Sequence, residues 1–463
     1  MQNFCKPVLL ALSAGLLFSH ATLADTLVDI YELSLNNDPT IRAAEASYRA
    51  GQEAVVLGRS GILPQIAASA DYSHLDNQNV NTLLDTNRDI TTDATGWGVN
   101  LSQPLFDMPA WFTFQQGKSL TGQAGAQFAA DQQDLIIRVS TAYFNVLRAI
   151  DNLKASQAQE AANKRQLEQT QQRFDVGLIA ITDVHEAQAS YDLAVATRLG
   201  DEGNLGISIE VLSVLTGQSH SNIWLLKEDY PIENPDPAGK DEWVAFAMEN
   251  NQDIKVATFA RDAAESSAQS AKAVHYPTLD ARLGYNDSRN DIDDGDPLDG
   301  TGRYDSNQKG SSIALSVNLP LYAGGGISAS SRQAYELYNR AVELYAGTTR
   351  TTVQKTRALH IQVSTDVART KARKQAVISS RSALDATQAG YEVGTRNIVD
   401  VLTVQQNLFS AIRDYSNTRY DYVINMLNLK QSAGTLSPQD IYDLNKWLTN
   451  PPAPTASSSG QSK

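Results

Sequence analysis

The sequence predicts an α+β membrane protein in which long coiled-coil hairpins continue from a β-barrel wall, built on an internally duplicated chain. Three observations carry this expectation. Two long stretches, Ala110 to Tyr230 and Leu321 to Ser437, contain no proline and keep a helical apolar spacing. Two pairs of segments between the helices alternate apolar and polar residues, as half-buried strands do. Three separate segments of the first half recur in the second half in the same order.

The repeat is clearest in "RFDVGLIAITDVHEAQASYDLA", from Arg173, and "GYEVGTRNIVDVLTVQQNLFSA", from Gly390. Val176, Gly177, Ile181, Asp183, Val184 and Gln188 recur as Val393, Gly394, Ile398, Asp400, Val401 and Gln405. Upstream, Pro64 and Tyr72 match Pro277 and Tyr285, and Pro104 matches Pro320. One match could arise by chance in coiled-coil-like sequence. Three in register point to a tandem duplication of about 215 residues.

The N-terminus reads as an export signal. Lys6 is followed by the apolar run Val8 to Phe18, too short to span a bilayer as a helix. Small residues at Thr22 and Ala24 set cleavage before Asp25, giving a leader over residues 1–24. The single cysteine, Cys5, leaves with that leader, so neither a disulfide framework nor lipid acylation is expected. The full chain has 463 residues, 38 basic and 52 acidic, for a net charge of −14. Such a surface repels phosphate and excludes a nucleic-acid partner.

The elements follow in order. The first structural repeat, 25–240, holds a helix near Thr26 to Ser60, a β-hairpin over 64–106, a long helix over 108–174 and a helix over 181–215. A proline-bearing mid-height segment over 216–240 ends it. The second, 241–450, holds a helix near Asp241 to Val274, a β-hairpin over 277–322, a long helix over 328–391 and a helix over 397–430. An equatorial C-terminal helix over 439–448 completes it. The Pro/Ser-rich tail, 451–463, is expected to be disordered. Glycine ends each long helix, at Gly177 and Gly394, so the chain turns back there. Each long helix of about 100 Å then equals two shorter ones stacked end to end. Ile398, Val401, Gln405, Leu408, Ile412 and Tyr415 begin a heptad seam that Gln405 and, further on, Arg419 are expected to weaken.

In the hairpins, Ile66, Ala68, Ala70 and Tyr72 alternate, as do Leu279, Ala281, Leu283 and Tyr285. Val99 and Leu101, then Ile313, Leu315, Val317 and Leu319, do the same. Strands of about 9 to 11 residues with one apolar face suit a transmembrane barrel. Trp97, Phe106, Trp111, Phe112 and Phe114 are expected to form an aromatic girdle at one end. Polar loops are expected near 76–95 and 289–309; the latter lacks the spacing of a calcium loop. Four strands cannot close a barrel, so copies must share one: two chains give about eight strands, three give about twelve.

Four segments carry a family resemblance across essentially the whole exported chain. They are "TAYFNVLRAID" from Thr141, "QRFDVGLIAITDV" from Gln172, "YEVGTRNIVDVL" from Tyr391 and "QPLFDM" from Gln103. With them the chain resembles the TolC-type outer-membrane channels. The resemblance implies a homotrimer with one twelve-stranded barrel, four strands per chain, in outer-membrane lipid. The barrel would be continued by a periplasmic α-helical barrel that tapers to a closed end. It implies an exit duct for efflux and type I secretion, without a cofactor. The duct would work with a periplasmic adaptor (membrane fusion protein) and an inner-membrane transporter of the RND, ABC or MFS class. The competing reading is a periplasmic coiled-coil scaffold without a pore.

The same resemblance places the gate at the two turns. Thr182 and Asp183 on one hairpin would hold Tyr391 and Arg396 on the other, within and between protomers. The chemistry suits it, since Arg396 offers a planar fork and Tyr391 a hydroxyl to a carboxylate. Asp400 would recur around the axis as a carboxylate ring. Members of the family have a second acidic ring one turn on, where this chain has Thr403. Val176, Gly177 and Leu178, with Val393, Gly394 and Thr395, match the tips where adaptors dock. An enzyme is not expected: the six histidines lack metal-ligand spacing, and "HEAQA" at His185 is not a zinc motif.

Overall fold

The computed structural model describes residues 25–81, 86–220, 222–293 and 303–450, without the side chains of 78–89 and 303–304. The expected leader, the tail and the centre of the acidic loop at 294–302 lie outside them. The first half runs α1 (Leu27–Asn37), α2 (Pro39–Ser60), β1 (Gln65–Asn81), β2 (Thr86–Phe106), α3 (Met108–Asp175), α4 (Ile181–Thr216) and β3 (Leu225–Leu226). The second runs α5 (Lys240–Asn250), α6 (Gln252–Ala273), β4 (Thr278–Asp293), β5 (Arg303–Asn318), α7 (Gly326–Glu392), α8 (Ile398–Ser432), α9 (Pro438–Asn445) and β6 (Leu448–Thr449). Corresponding helices match closely in length, 68 against 67 residues for the long ones and 36 against 35 for those after the turns.

Three features differ from the sequence expectation. The helix before each hairpin is broken. At the first break Pro39 supplies no N–H, and Asp38 caps the new helix by accepting from Thr40 N at 3.0 Å. At the second, Asn251 caps α6 by accepting from Ile254 N at 3.1 Å. The strands are longer than expected, 17 and 21 residues in the first hairpin and 16 and 16 in the second. Main-chain pairing does not need apolar side chains, so the ladders run on into sequence that had read as loop. Residues 448–449 leave the C-terminal helix and pair with β3, closing a small belt sheet.

The four long strands form one antiparallel sheet, β1-β2-β4-β5, with β1 and β5 at its edges. Register aligns Ile66, Leu101, Leu283 and Ile313 across it, then Ala68, Val99, Tyr285 and Ser311. The opposite face aligns Ala67, Asn100, Gly284 and Ser312, all small or polar. The apolar face is exposed: Ile66, Leu283, Ile313, Leu315 and Val317 have no helix over them. The aromatics fall at two levels rather than one. Trp97 packs on Tyr285 at 5.3 Å, while Trp111 packs on Phe114 beside the strand base at Phe106. Nine strand residues separate Trp97 from Phe106, about 30 Å along the strand.

The main core lies at mid-height. Leu27 and Ile30 of α1, Tyr143, Phe144 and Leu147 of α3, Tyr420 and Leu429 of α8 and Ile441 of α9 are buried together there. The two polar residues of the α8 seam differ: Gln405 is paired, whereas buried Arg419 keeps an unpartnered Nε. Gln405 donates to buried Asn163 Oδ1 at 2.7 Å, and Arg419 donates to the Lys227 carbonyl. Asp421 binds Arg148 at 2.6 Å and Arg369 at 2.7 Å, joining the halves. Among the described residues no helix is long and apolar enough to cross a membrane.

Gly434, at φ +73°, lets the chain leave α8 against the next element. A Cβ there would lie 2.6 Å from Asn251 N and closer still to Asn250. Gly434→Ala should therefore cost more than the ~1–2 kcal/mol of a left-handed residue alone. Gly177→Ala, at φ +77° in open space, should cost only that amount. Thermal unfolding of the two variants checks the order. Buried Asp38 pairs with Arg138 at 2.7 Å. Burial, the largest single influence, raises its pKa. The Thr40 N–H bond and the Arg138 bond and charge together outweigh it, so the carboxyl sits below its usual value. Its stabilisation is present above the unfolded pKa and is lost as pH falls through the lowered folded one. Asp38→Asn should be less stable than wild type at pH 7, with the gap closing below about pH 4.

Candidate functional site

The two helical turns lie at one end of the hairpins and share a local geometry. Leu178 N donates to Arg173 O at 2.9 Å and Gly177 N to Phe174 O at 2.8 Å. Thr395 N donates to Gly390 O at 2.8 Å and Gly394 N to Tyr391 O at 3.1 Å. This is the Schellman arrangement, and the glycines stand at φ +77° and +80° where it needs a left-handed residue. The turns push Val176, Leu178 and Val393 into solvent at 70%, 74% and 75% exposure. Nothing lies within 4 Å of a Cβ built on either glycine.

Beyond the turns the hairpins differ. Asn397 caps α8, accepting from Asp400 N at 2.8 Å, while Asp400 accepts in return from Asn397 N at 3.4 Å. Arg396 lies 3.8 Å from the same carboxylate. Asp400 is thus held by its own turn. The start of α4 has no such device: Ala180 makes no side-chain cap, and Thr182 donates only to Asp183 at 3.4 Å.

The structure does not join Thr182 and Asp183 to Tyr391 and Arg396 within one chain. Tyr391 is buried against Ile398 and Val401, and the Arg173 guanidinium lies over its ring at 4.8 Å. Its hydroxyl has no partner, nor has Nε2 of buried Gln166. Both face a cleft of about 650 Å³ between α3 and α7, lined also by Gln169, Gln172 and Gln388. Sequence reasoning missed Arg173 and Gln166. The signal was available in the repeat: Arg173 lies one residue before Phe174, the counterpart of Tyr391, and the second copy has Gly390 there.

One other cluster has a catalytic look. His220 binds Asp25 Oδ2 through Nδ1 and Thr216 Oγ1 through Nε2, each at 2.7 Å. Thr216 and His220 are buried at 0% and 2% exposure, so no substrate reaches the hydroxyl. The cluster fastens the start of the chain to the end of α4, aided by Asp25 N donating to Asn222 O at 2.8 Å. Among the described residues no group of three metal-ligating side chains converges.

An exposed apolar sheet face above a long helical body with open, exposed turns defines a class: membrane proteins that meet lipid with strands. The comparisons give the family. The profile of the outer membrane efflux proteins matches twice, over residues 30–218 and 243–435. The chain is 37% identical to outer membrane protein TolC of Vibrio cholerae over 442 residues, covering 96% of this chain and 98% of the relative. It is 29% identical to the proteases secretion protein PrtF of Dickeya chrysanthemi, covering 96% and 95%. Its fold matches the CmeC outer membrane channel of Campylobacter jejuni with a TM-score of 0.72 at 18% identity, covering 91% and 90%. The chain belongs to the outer membrane efflux protein family and is an outer-membrane protein of Gram-negative type.

The tip chemistry makes a specific prediction. Within its own chain the Tyr391 hydroxyl has no partner, so Tyr391→Phe leaves at most one contact between copies to lose and should change stability by no more than about 1 kcal/mol per chain. Arg173→Ala should cost about 0.5–1 kcal/mol through the lost contact with the Tyr391 ring. Thermal melts of the two variants, compared with wild type, check this.

Proposed function

We propose that the protein is the outer-membrane exit duct of tripartite efflux pumps and type I secretion, assembled as a homotrimeric channel-tunnel. The carrying observation is the open sheet: four strands, an apolar outer face and a polar inner one, and two unpaired edges. Three copies supply twelve strands and remove every edge. A second feature supports a closed helical ring. Leu193, Ala196, Gly200, Gly203, Ile207 and Val214 lie at heptad positions on α4, interrupted only by Glu210, and all are exposed in the single chain. A seam of that kind needs another helix, and its two glycines allow close approach. At the matching height α7 exposes Ile361 and Ile378. A head-to-tail contact of α4 on α7 closes into a ring.

The relatives support the pathway. One carries secretion of proteases in its name, and the family name carries efflux. In this reading the exposed tips, Val176-Gly177-Leu178 and Val393-Gly394-Thr395, receive a periplasmic adaptor that couples the duct to an inner-membrane RND, ABC or MFS transporter. Thr182 and Asp183 meet Tyr391 and Arg396 across the protomer boundary and hold the tip shut. The Asp400 carboxylates ring the narrow end and favour cations there. With Thr403 in place of a second acidic ring, cation block is weaker than in a two-ring relative.

Planar-bilayer recording of the purified protein tests the reading directly. Wild type should insert and conduct with a small, cation-favouring conductance; a soluble, non-conducting rod would return the scaffold reading. Arg396→Ser and Asp183→Ala should each raise conductance severalfold, and unchanged conductance in both would sink the lock. Asp400→Asn should relieve block by trivalent cations, a result that an ordinary capping residue would not give.

A further inference from the structure

The chain carries 52 acidic against 38 basic residues, and one groove runs against that balance. It has a volume of about 620 Å³ and lies between α3 and α7 over α8, with the belt strand β3 at one end. Lys154, Lys227, Lys374, Arg381 and Arg419 line it, against only Asp151 and Glu228. Asp151 is already engaged, accepting from the Tyr420 hydroxyl at 2.7 Å. The nearby carboxylates Asp421 and Asp414 are taken by Arg148, Arg369 and Arg373. Among the described residues Lys154, Lys374 and Arg381 are thus left without a carboxylate. By contrast, the mid-height pocket beside Asn251 has Asp131, Asp134 and Asp253 with Lys355 as its one cation.

Arg419 gives the groove a second, independent feature. Its side chain is 5% exposed, and it donates one N–H to the Lys227 carbonyl, yet its Nε has no partner. A buried guanidinium with an unanswered donor and no counter-ion is costly unless something supplies the anion. The walls are apolar: Val377 of α7 and Phe409 and Ile412 of α8 line the same space. Converging cations beside an aromatic and aliphatic wall select for a ligand that is anionic at one end and apolar at the other.

We propose that this groove is a binding site for an amphipathic carboxylate. The carboxylate sits at Arg419 and Lys374, with Lys154 and Arg381 at the rim, and the apolar body lies on Phe409 and Ile412. Because the groove is shared by α3 of the first half and α7 and α8 of the second, a bound ligand ties the two hairpins together. The site is separate from the turns at the tip, and its assignment does not rest on the gating scheme.

The test uses the purified full-length protein in lipid nanodiscs with naphthalene-2-carboxylate as probe, followed by equilibrium dialysis. Naphthalene-2-methanol serves as the neutral analogue. Saturable binding of one probe per chain is expected, with the alcohol weaker by about tenfold or more, the usual gap for a lost charge-assisted pair. The double variant Lys374→Glu, Arg381→Glu changes exposed residues and should lose binding by about the same factor while its melting temperature and oligomeric state stay as wild type. If it misassembles, the single neutralisation Lys154→Gln is read instead, with a smaller loss expected. Equal binding of acid and alcohol, unchanged affinity in the variants or absence of saturable binding would each overturn the proposal. So would binding of an acidic helical peptide without binding of the naphthoate, which would give the groove to a protein partner.

Discussion

The constraint on which the rest depends is main-chain hydrogen bonding at the two sheet edges. Along β1 and β5, every second N–H and C=O points away from the sheet, and the adjoining side chains on one face are apolar and exposed. In water such an edge is a hazard; in hydrocarbon it is excluded, because no solvent answers those groups. In the proposed trimer, other copies of the same sheet answer those groups. In that assembly the requirement would pass down the molecule, since helices that continue rigidly from the strands would close around the same axis. The exposed α4 seam, with its two glycines, is the helical counterpart of the open sheet edge.

Long helices bring a second problem. Regular coiled-coil packing specifies register weakly, and a helix of 68 residues has many near-equivalent positions along its neighbours. The structure answers it with polar bonds placed singly in an apolar interface. Gln405 with Asn163, Tyr420 with Asp151 and Arg148 with Asp421 each join α3 to α8 at a fixed height. Each pairs its polar groups across the interface, so it constrains position without leaving a buried charge alone. Near the end of α8, Thr356 and Ser432 share a hydroxyl bond at 2.7 Å, and Asn251 donates to the Ser432 carbonyl at 2.9 Å. The belt is fixed at the level where helices end and begin.

Much of this was legible because it depends on local rules. Proline-free stretches and heptad spacing located the helices, glycine located the turns, and alternation located the strands. The lengths of the strands were less legible, because above the apolar rows the ladder is carried by main chain alone, and Thr92, Asn290 and Ser306 look like loop residues. The breaks at Asp38 and Asn251 were visible as Asp-Pro and Asn-Asn dipeptides but were outweighed by the helical spacing on both sides. At the tip, the turn geometry followed from Gly177 and Gly394. The stacking of Arg173 on Tyr391 did not, because it joins residues of different hairpins that only the packing of α3 against α8 brings together.

The two tips carry the same turn but are held differently, and that difference bears on how the end can work. At the second hairpin, Asn397, Asp400 and Arg396 bind one another, so the turn arrives with its charges preset. At the first, Thr182 is exposed and Asp183 half-buried, and their side chains are bonded only to each other. In one chain α4 packs along α3 and touches α8, while α7 lies on the far side of α8. In the proposed trimer, Asp183 would reach an Arg396 where the α4 flank of one copy meets the α7 flank of the next. A contact of that kind forms during assembly rather than folding. It can be broken without unfolding either hairpin, since each turn keeps its own glycine cap. The two hairpins match in turn and length but differ at Phe174 and Tyr391, and at Ile179 and Arg396; in the proposed lock that difference would make one a receptor and the other a free arm.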